Sequence, residues 1–306
     1  MRRWQANAML LLVALIWGSA FVAQNLAMAH MGPMAFTGVR FLVGAAVVAP
    51  LAWREWRYLR GRGLHHTGED LALVSGLGLL LWLGAALQQV GIQGTTVTNA
   101  GFLTALYVPV VPLLAWWRSG RAPHPLLWPA SAGCLLGTYL LSGAGSVVFN
   151  RGDLWVLASV LPWALHVLFV GEVANRMAAP FLVACGQFLA CAMASLAWAG
   201  VAEPLEWQGL VAAIPAIAYT GILSVGVGFT AQVVAQRFAM PSDAAILLSS
   251  ETLFAAMCGY VLMGDRLSAA GWAGAALIFG CMLAVQLLAL RQPARRAATA
   301  HKAQNE

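Results

Sequence analysis

Charge is what this 306-residue chain most lacks. Asp, Glu, Lys and Arg make up 9% of it, where a soluble domain carries about 25%. No stretch outside its apolar blocks is long enough for a separate soluble catalytic or regulatory domain. HExxH, a paired Asp motif and GxSxG are missing, which removes the common hydrolase chemistries and predicts no enzyme. GxxxxGK[ST] is missing too, so the chain carries no ATP-driven pump of its own. The six histidines are dispersed: His65, His66, His124 and His301 fall in loops or tail, His30 at a helix end, and His166 inside an apolar block. Without a CxxC pair or Cys/His cluster, the five cysteines (Cys134, Cys185, Cys191, Cys258, Cys281) support neither a disulfide framework nor a metal site. They read as small packing residues, and no cofactor is expected. The net charge of +6 is no nucleic-acid signal, because the basic residues are scattered among short loops and the tail.

Apolar residues fill the space that charge leaves, at 61% of the chain. Ten blocks, at 8–29, 33–53, 70–92, 98–117, 123–141, 153–172, 178–200, 208–231, 241–263 and 270–290, each approach the roughly 20 residues needed to cross a ~30 Å hydrocarbon core. Barrel strands would read as short alternating segments, whereas these runs are continuous. The expectation is an all-α membrane protein of ten transmembrane helices, spans 1 to 10. Arg2 and Arg3 before an apolar run, with Ala27-Met28-Ala29 after it, resemble a signal peptide. The run exceeds the usual 7–15-residue h-region, and cleavage would leave nine helices, so it reads as span 1.

Arginine placement sets orientation. With the N-terminus inside, the cytoplasmic segments hold Arg2, Arg3, Arg54, Arg57, Arg60, Arg62, Arg118, Arg121, Arg176, Arg237, Arg291, Arg295, Arg296 and Lys302. The outer loops hold Arg151 and Arg266, and Arg40 lies within a span. Both termini are therefore expected to be cytoplasmic.

The chain also repeats itself at a separation of about 143–146 residues. Trp17-Gly18 answers Trp163-Ala164; Thr98-Asn99-Ala100-Gly101-Phe102-Leu103 answers Ser242-Asp243-Ala244-Ala245-Ile246-Leu247; Gly137 answers Gly280. Five spans per half is an odd number, so the copies must be inverted, an arrangement that places a substrate site near the midplane between the halves. The expected units are 1–142 and 153–291, joined by a linker over 143–152 and followed by a basic cytoplasmic tail, 292–306.

Several of these segments carry a resemblance: Trp17-Gly18-Ser19-Ala20-Phe21; Gly32-Pro33-Met34-Ala35-Phe36 leading to Arg40-Phe41-Leu42; Glu251-Thr252-Leu253; Gly264-Asp265-Arg266-Leu267; and Trp272 through Ile278. In this order over 8–290, the chain resembles the EamA-type branch of the drug/metabolite transporter superfamily. The resemblance implies a bacterial inner-membrane carrier of small metabolites, often an exporter of amino acids or related compounds. Thr252 departs from it, since Pro usually follows the Glu, and predicts a less kinked span 9.

Polar groups inside the spans are the candidate site residues. At ~1.5 Å per residue, Arg40 lies ~10 Å below the outer surface and Glu251 ~15 Å from the inner one. A charge at such depth costs at least ~2.5–3.5 kcal/mol and must face a cavity or a partner. Glu251 can carry a coupling proton and Arg40 an anionic substrate group; alternatively the two form an ion pair, or each makes a separate interhelical bond, that only orders the bundle. His166 is either a proton relay or an ordinary interhelical hydrogen-bonding residue. Trp17, Tyr107, Trp163, Gln187 and Tyr219 sit midway along other spans and suit an amphipathic ligand, though any one of them also reads as packing. Tyr107 occupies the repeat position of Glu251. Glu172 and Arg176, four residues apart, read as an interfacial pair. Asn99 and Asp243 read as helix caps. Pro109, Pro112, Pro162 and Pro215 are expected to break spans 4, 6 and 8, and Gly221, Gly226 and Gly228 to let span 8 bend or approach a neighbour. The expected partners are a small-molecule substrate, the lipid bilayer and a coupling proton; a channel, receptor-like or non-transporting membrane protein is the competing reading.

Overall fold

The computed structural model describes residues 1–95, 97–141, 150–204, 206–258, 260 and 267–291. Most of the expected linker, Arg266, the tail from 292 onward and the side chains of Thr98 and Asn99 lie outside the described residues, and with them the capping role expected of Asn99. The described residues form helices and no strands. These are α1 (Arg3–Ala27), α2 (Pro33–Gly61), α3 (Gly68–Gln93), α4 (Val97–Thr104), α5 (Tyr107–Ser119), α6 (Leu127–Leu141), α7 (Arg151–Met177), α8 (Pro180–Ala202) and α9 (Trp207–Ala218). A π-helical segment, Tyr219–Phe229, then leads into α10 (Thr230–Gln236), α11 (Pro241–Leu248), α12 (Glu251–Cys258) and α13 (Ala269–Arg291). Among the described residues, eight helical stretches are long and apolar enough to cross a bilayer, and Leu127–Leu141 is a shorter apolar helix. Their outward faces carry bare apolar side chains such as Trp117, 86% exposed, as lipid contact requires.

Local chemistry starts the helices where the blocks begin. Pro33, Pro180 and Pro241 each occupy the first turn, where a missing N–H costs nothing. Thr67 and Asp70 close a reciprocal capping box on α3: the Asp70 N–H donates to Thr67 Oγ1 at 3.3 Å and the Thr67 N–H to Asp70 Oδ2 at 2.9 Å. Carboxylates from one half also cap helices of the other. Glu203 accepts from the N–H groups of Met34 and Ala35 (2.9 and 2.8 Å), and Glu55 from that of Leu182 (2.9 Å).

The two halves pack by mutual exchange. α2 lies against α8, and α6 against α13. The α3–α7 contact is mirrored by α1 against the π-helical segment, the contact of α2 with that segment by α3 against α8, and α1–α12 by α7 against α4 and α5. Swapping the halves maps these contacts onto one another, as a pseudo-twofold axis requires. Where helices touch most closely the residues are small: a Cβ on Gly137 would stand 2.8 Å from the Gly274 carbonyl. Gly280, the sequence counterpart of Gly137, has open space beside it, so that equivalence does not extend to packing.

Three backbone expectations change. Span 9 is not straightened by Thr252; it breaks between α11 and α12 at Ser249 and Ser250. There the hydroxyls of Ser249, Ser250 and Thr252 donate to carbonyls three residues back, and tighten the turn without proline. Span 4 breaks at Ala105 and Leu106, upstream of its prolines, because Pro109 has no N–H to offer the preceding turn. α7 runs unbroken through Pro162, whose one lost hydrogen bond is tolerated in a helix packed against α3, α5 and α10. Span 8 departs from α geometry after Pro215, in the π-helical segment. Its Gly221 and Gly226 admit Val43 and Val47 of α2, and Gly228 admits the Trp17 indole.

Candidate functional site

The two breaks stand 144 residues apart, at equivalent positions of the repeat. Each turns the next helix start inward, so Tyr107 opens α5 and Glu251 opens α12 beside the same central cavity. Most of its lining comes in repeat pairs, 144–146 residues apart: Trp17 with Trp163, Phe21 with Val167, Gln88 with Gln232, Thr104 with Leu248, and Tyr107 with Glu251. The cavity therefore lies on the axis that exchanges the halves. Gln24, Arg40, Ser224 and Phe229 complete the wall without such partners.

Aromatic rings form one side. Phe229 sits between the tryptophans, its ring centroid 4.4 Å from Trp17 and 6.0 Å from Trp163, nearly parallel to the latter. Trp17 is fixed by its Nε1–H, which donates to the Ser224 carbonyl at 3.1 Å within the π-helical segment. That wider turn aims a main-chain acceptor at the cavity wall, a use that fits the concentration of π-turns at functional sites.

The charged groups do not meet. Arg40 Nη1 donates to Gln24 Oε1 at 2.6 Å, and the guanidinium lies over Phe36 and Phe41, 5.3 and 5.2 Å from their ring centroids. Its Nε–H is buried without a partner. Among the described residues no ion pair joins Arg40 to Glu251, and the Glu251 side chain has no hydrogen-bond donor. The purely structural Arg40–Glu251 pair is therefore not formed. Gln232 adds a third open valence: its Nε2 donates to Gln236 at 2.8 Å, while its Oε1 is buried and unpaired.

Of the side chains singled out in the sequence, Trp17, Arg40, Tyr107, Trp163 and Glu251 line this cavity; Gln187, Tyr219 and His166 do not. Tyr219 turns its hydroxyl to Ser19 Oγ at 2.6 Å, at the start of the π-helical segment. Gln187 is the repeat counterpart of Arg40, as Pro180 is of Pro33, yet it is fully buried against His166, with Oε1 2.9 Å from Nε2. The two form a dyad between α7 and α8, and His166 Nδ1 and Gln187 Nε2 are buried without a partner. Glu172 and Arg176 do not pair with each other. Glu172 takes Arg118 in a two-point contact (2.6 and 2.7 Å), and Arg176 reaches Glu69 and Asp70 (2.7 and 3.3 Å), because the neighbouring helices bring acceptors closer than the next turn does. Asp243 is not a cap; it is buried in an ion pair with Arg3 at 2.6 Å. Gln24, Gln88, Thr104, Ser224, Phe229 and Gln232 were not evident from sequence. The repeat held a signal for Gln88 and Gln232, which are equivalent polar residues in apolar spans.

The chain is similar to known proteins. Over 290 residues the chain is 29% identical to an uncharacterized transporter of Archaeoglobus fulgidus, covering 95% of this chain and 87% of that one. It is 25% identical over 301 residues to the uncharacterized transporter YwfM of Bacillus subtilis, covering 94% and 96%. A solved crystal structure, 20% identical in sequence, superposes with a TM-score of 0.76 over 95% of this chain and 99% of that one, which shows a shared fold. The profile of the EamA-like transporter family matches twice, at residues 4–143 and 150–286. Two matched halves, exchanged by the contacts around a common cavity, make this chain a member of the EamA-like transporter family and a multi-pass membrane transporter.

Proposed function

We propose that the chain is a non-enzymatic secondary transporter that exports a small amphipathic metabolite, such as an amino acid or a related compound, by alternating access. One observation carries this reading: Arg40 and Glu251 share a cavity between the halves and leave each other free. Unpaired ionisable groups in lipid are too costly to keep for packing alone. A carboxylate on the substrate would meet the Arg40 guanidinium, which still has its Nε–H to donate. A donor or cationic group would meet the Glu251 carboxylate and Gln232 Oε1, both of which only accept. The apolar body would lie along Trp17, Phe229 and Trp163. Glu251 can hold a proton or the substrate's cationic end but not both, and that competition would couple flux to pH.

The finer architecture belongs to the same reading. Ten crossings, five in each of the units 1–142 and 153–291, give inverted repeats that rock about the cavity. The arginine distribution favours cytoplasmic termini, and the family resemblance favours a bacterial inner membrane. Ligands are found by thermal shift of the purified protein against amino acids, nucleosides and cationic drugs, since a ligand stabilises the state it binds. The hits then enter proteoliposomes for counterflow of labelled substrate. Saturable counterflow is expected; flux that rises in proportion to concentration would mean a channel, and no flux a non-transporting protein.

A further inference from the structure

α2 runs 29 residues, Pro33–Gly61, and so measures about 43 Å at ~1.5 Å per residue. A hydrocarbon core of ~30 Å accounts for it only as far as about residue 53. The remaining two turns, Trp53 to Gly61, project past the bilayer edge at the face where α1 begins and α8 begins. At 100° per residue, Trp53, Trp56, Arg57 and Arg60 fall within one arc of about 100°. Trp53 is 58% exposed, and Arg57 and Arg60 are exposed. The Trp53 and Trp56 rings lie with centroids 4.8 Å apart, tilted by 30°, and Arg60 lies 5.0 Å above the Trp56 ring. Arg54 lies beside the arc, whereas Arg62, just past the helix end, sits on the other side, 4.6 Å over Tyr58.

Among the described residues nothing neutralises this patch. The one acid on these turns, Glu55, points to the opposite side and caps α8 at the Leu182 N–H. Glu69 and Asp70, the next acids along the chain, are taken by Arg176. Among the described residues, none of Arg54, Arg57, Arg60 and Arg62 forms an ion pair. The repeat copy has no such surface: α8 ends at Ala202, and the next charged residues are Glu203 and Glu206.

We infer that this end of α2 is a binding site for anionic phospholipid. Its headgroup phosphate would be held by Arg57 and Arg60, and its glycerol and upper acyl region would lie against Trp53 and Trp56. Rings at the interface with arginines one turn further out match the depth order of a phospholipid's acyl, glycerol and phosphate layers. Arginine is suited to the phosphate, since its planar fork donates to two oxygens at once. The site is independent of the transport cavity and of what that cavity carries.

The full-length protein in detergent micelles is doped with dioleoyl phosphatidylglycerol or dioleoyl phosphatidylcholine, and lipid retained per protein is read by native mass spectrometry. Phosphatidylglycerol should be kept at least about tenfold better. Arg57→Gln with Arg60→Gln should lose most of that preference, at about fivefold per arginine. Arg121→Gln, an exposed arginine elsewhere, should keep it. The wild-type preference should also shrink in high salt, and millimolar inorganic phosphate should not displace the lipid, because it makes no contact with the tryptophans. Equal retention of the two lipids, an unchanged preference in the double variant or in high salt, or displacement by phosphate would overturn the site.

Discussion

Gly18 and Glu251 meet backbone to backbone: the Glu251 carbonyl lies where a side chain on residue 18 would begin. A Cβ there would also stand 2.8 Å from the Ala255 nitrogen and 2.9 Å from Phe254 Cβ. The glycine after Trp17 thus lets α1 settle against the start of α12, which puts the Trp17 ring and the Glu251 carboxyl on one cavity wall. Gly18→Val should cost about 1–3 kcal/mol, as overpacking of a close contact does, and Gly18→Ala should fall between it and the wild type. Thermal unfolding of the purified variants reads this order. A Gly18→Val protein as stable as the wild type would show that the helices do not meet there.

Glu251 has no cationic partner among the described residues, so Glu251→Gln should fold and express like the wild type. Under the proposed coupling it should abolish pH-driven transport and preserve substrate counterflow, because the amide keeps the shape and cannot titrate. Poor expression would point to a buried partner, whose loss typically costs about 3–5 kcal/mol. Unchanged pH-driven flux would remove Glu251 from the coupling.

Among the described residues, Gln24 holds the one hydrogen bond that the Arg40 guanidinium makes. Gln24→Met keeps the length and removes the acceptor. It should lower stability by about 1–3 kcal/mol, the penalty for stranding a buried donor. A substrate that brings its own carboxylate should recover part of that loss in a thermal-shift assay, whereas a neutral analogue should not. Equal recovery with both would count against Arg40 as the anion subsite.

Topology has a direct test. Reporter fusions after Glu306 and within the loop between α2 and α3 should both read cytoplasmic. An external C-terminus would mean an odd number of crossings, and the inverted arrangement of five and five would fall with it.

The sequence by itself determined where the chain enters and leaves the apolar phase. The eight described spans and the helix Leu127–Leu141 fall within or around predicted blocks, because the need to satisfy every backbone group in lipid leaves only the helix. It also held the repeat that makes Tyr107 the counterpart of Glu251. The faces were another matter. In water, hydrophobic periodicity tells inside from outside; in lipid both sides of a helix are apolar, so nothing in spacing separates Trp163, in the cavity, from Tyr219, turned away to Ser19. Partner choice was likewise tertiary. Arg40 takes Gln24 rather than Glu251, and Glu172 takes Arg118 rather than Arg176, because the packing of separate helices decides which atoms come within hydrogen-bonding reach. The break before Glu251 needed both levels: local hydroxyls bend the backbone, and the Gly18 contact fixes which way the carboxyl faces.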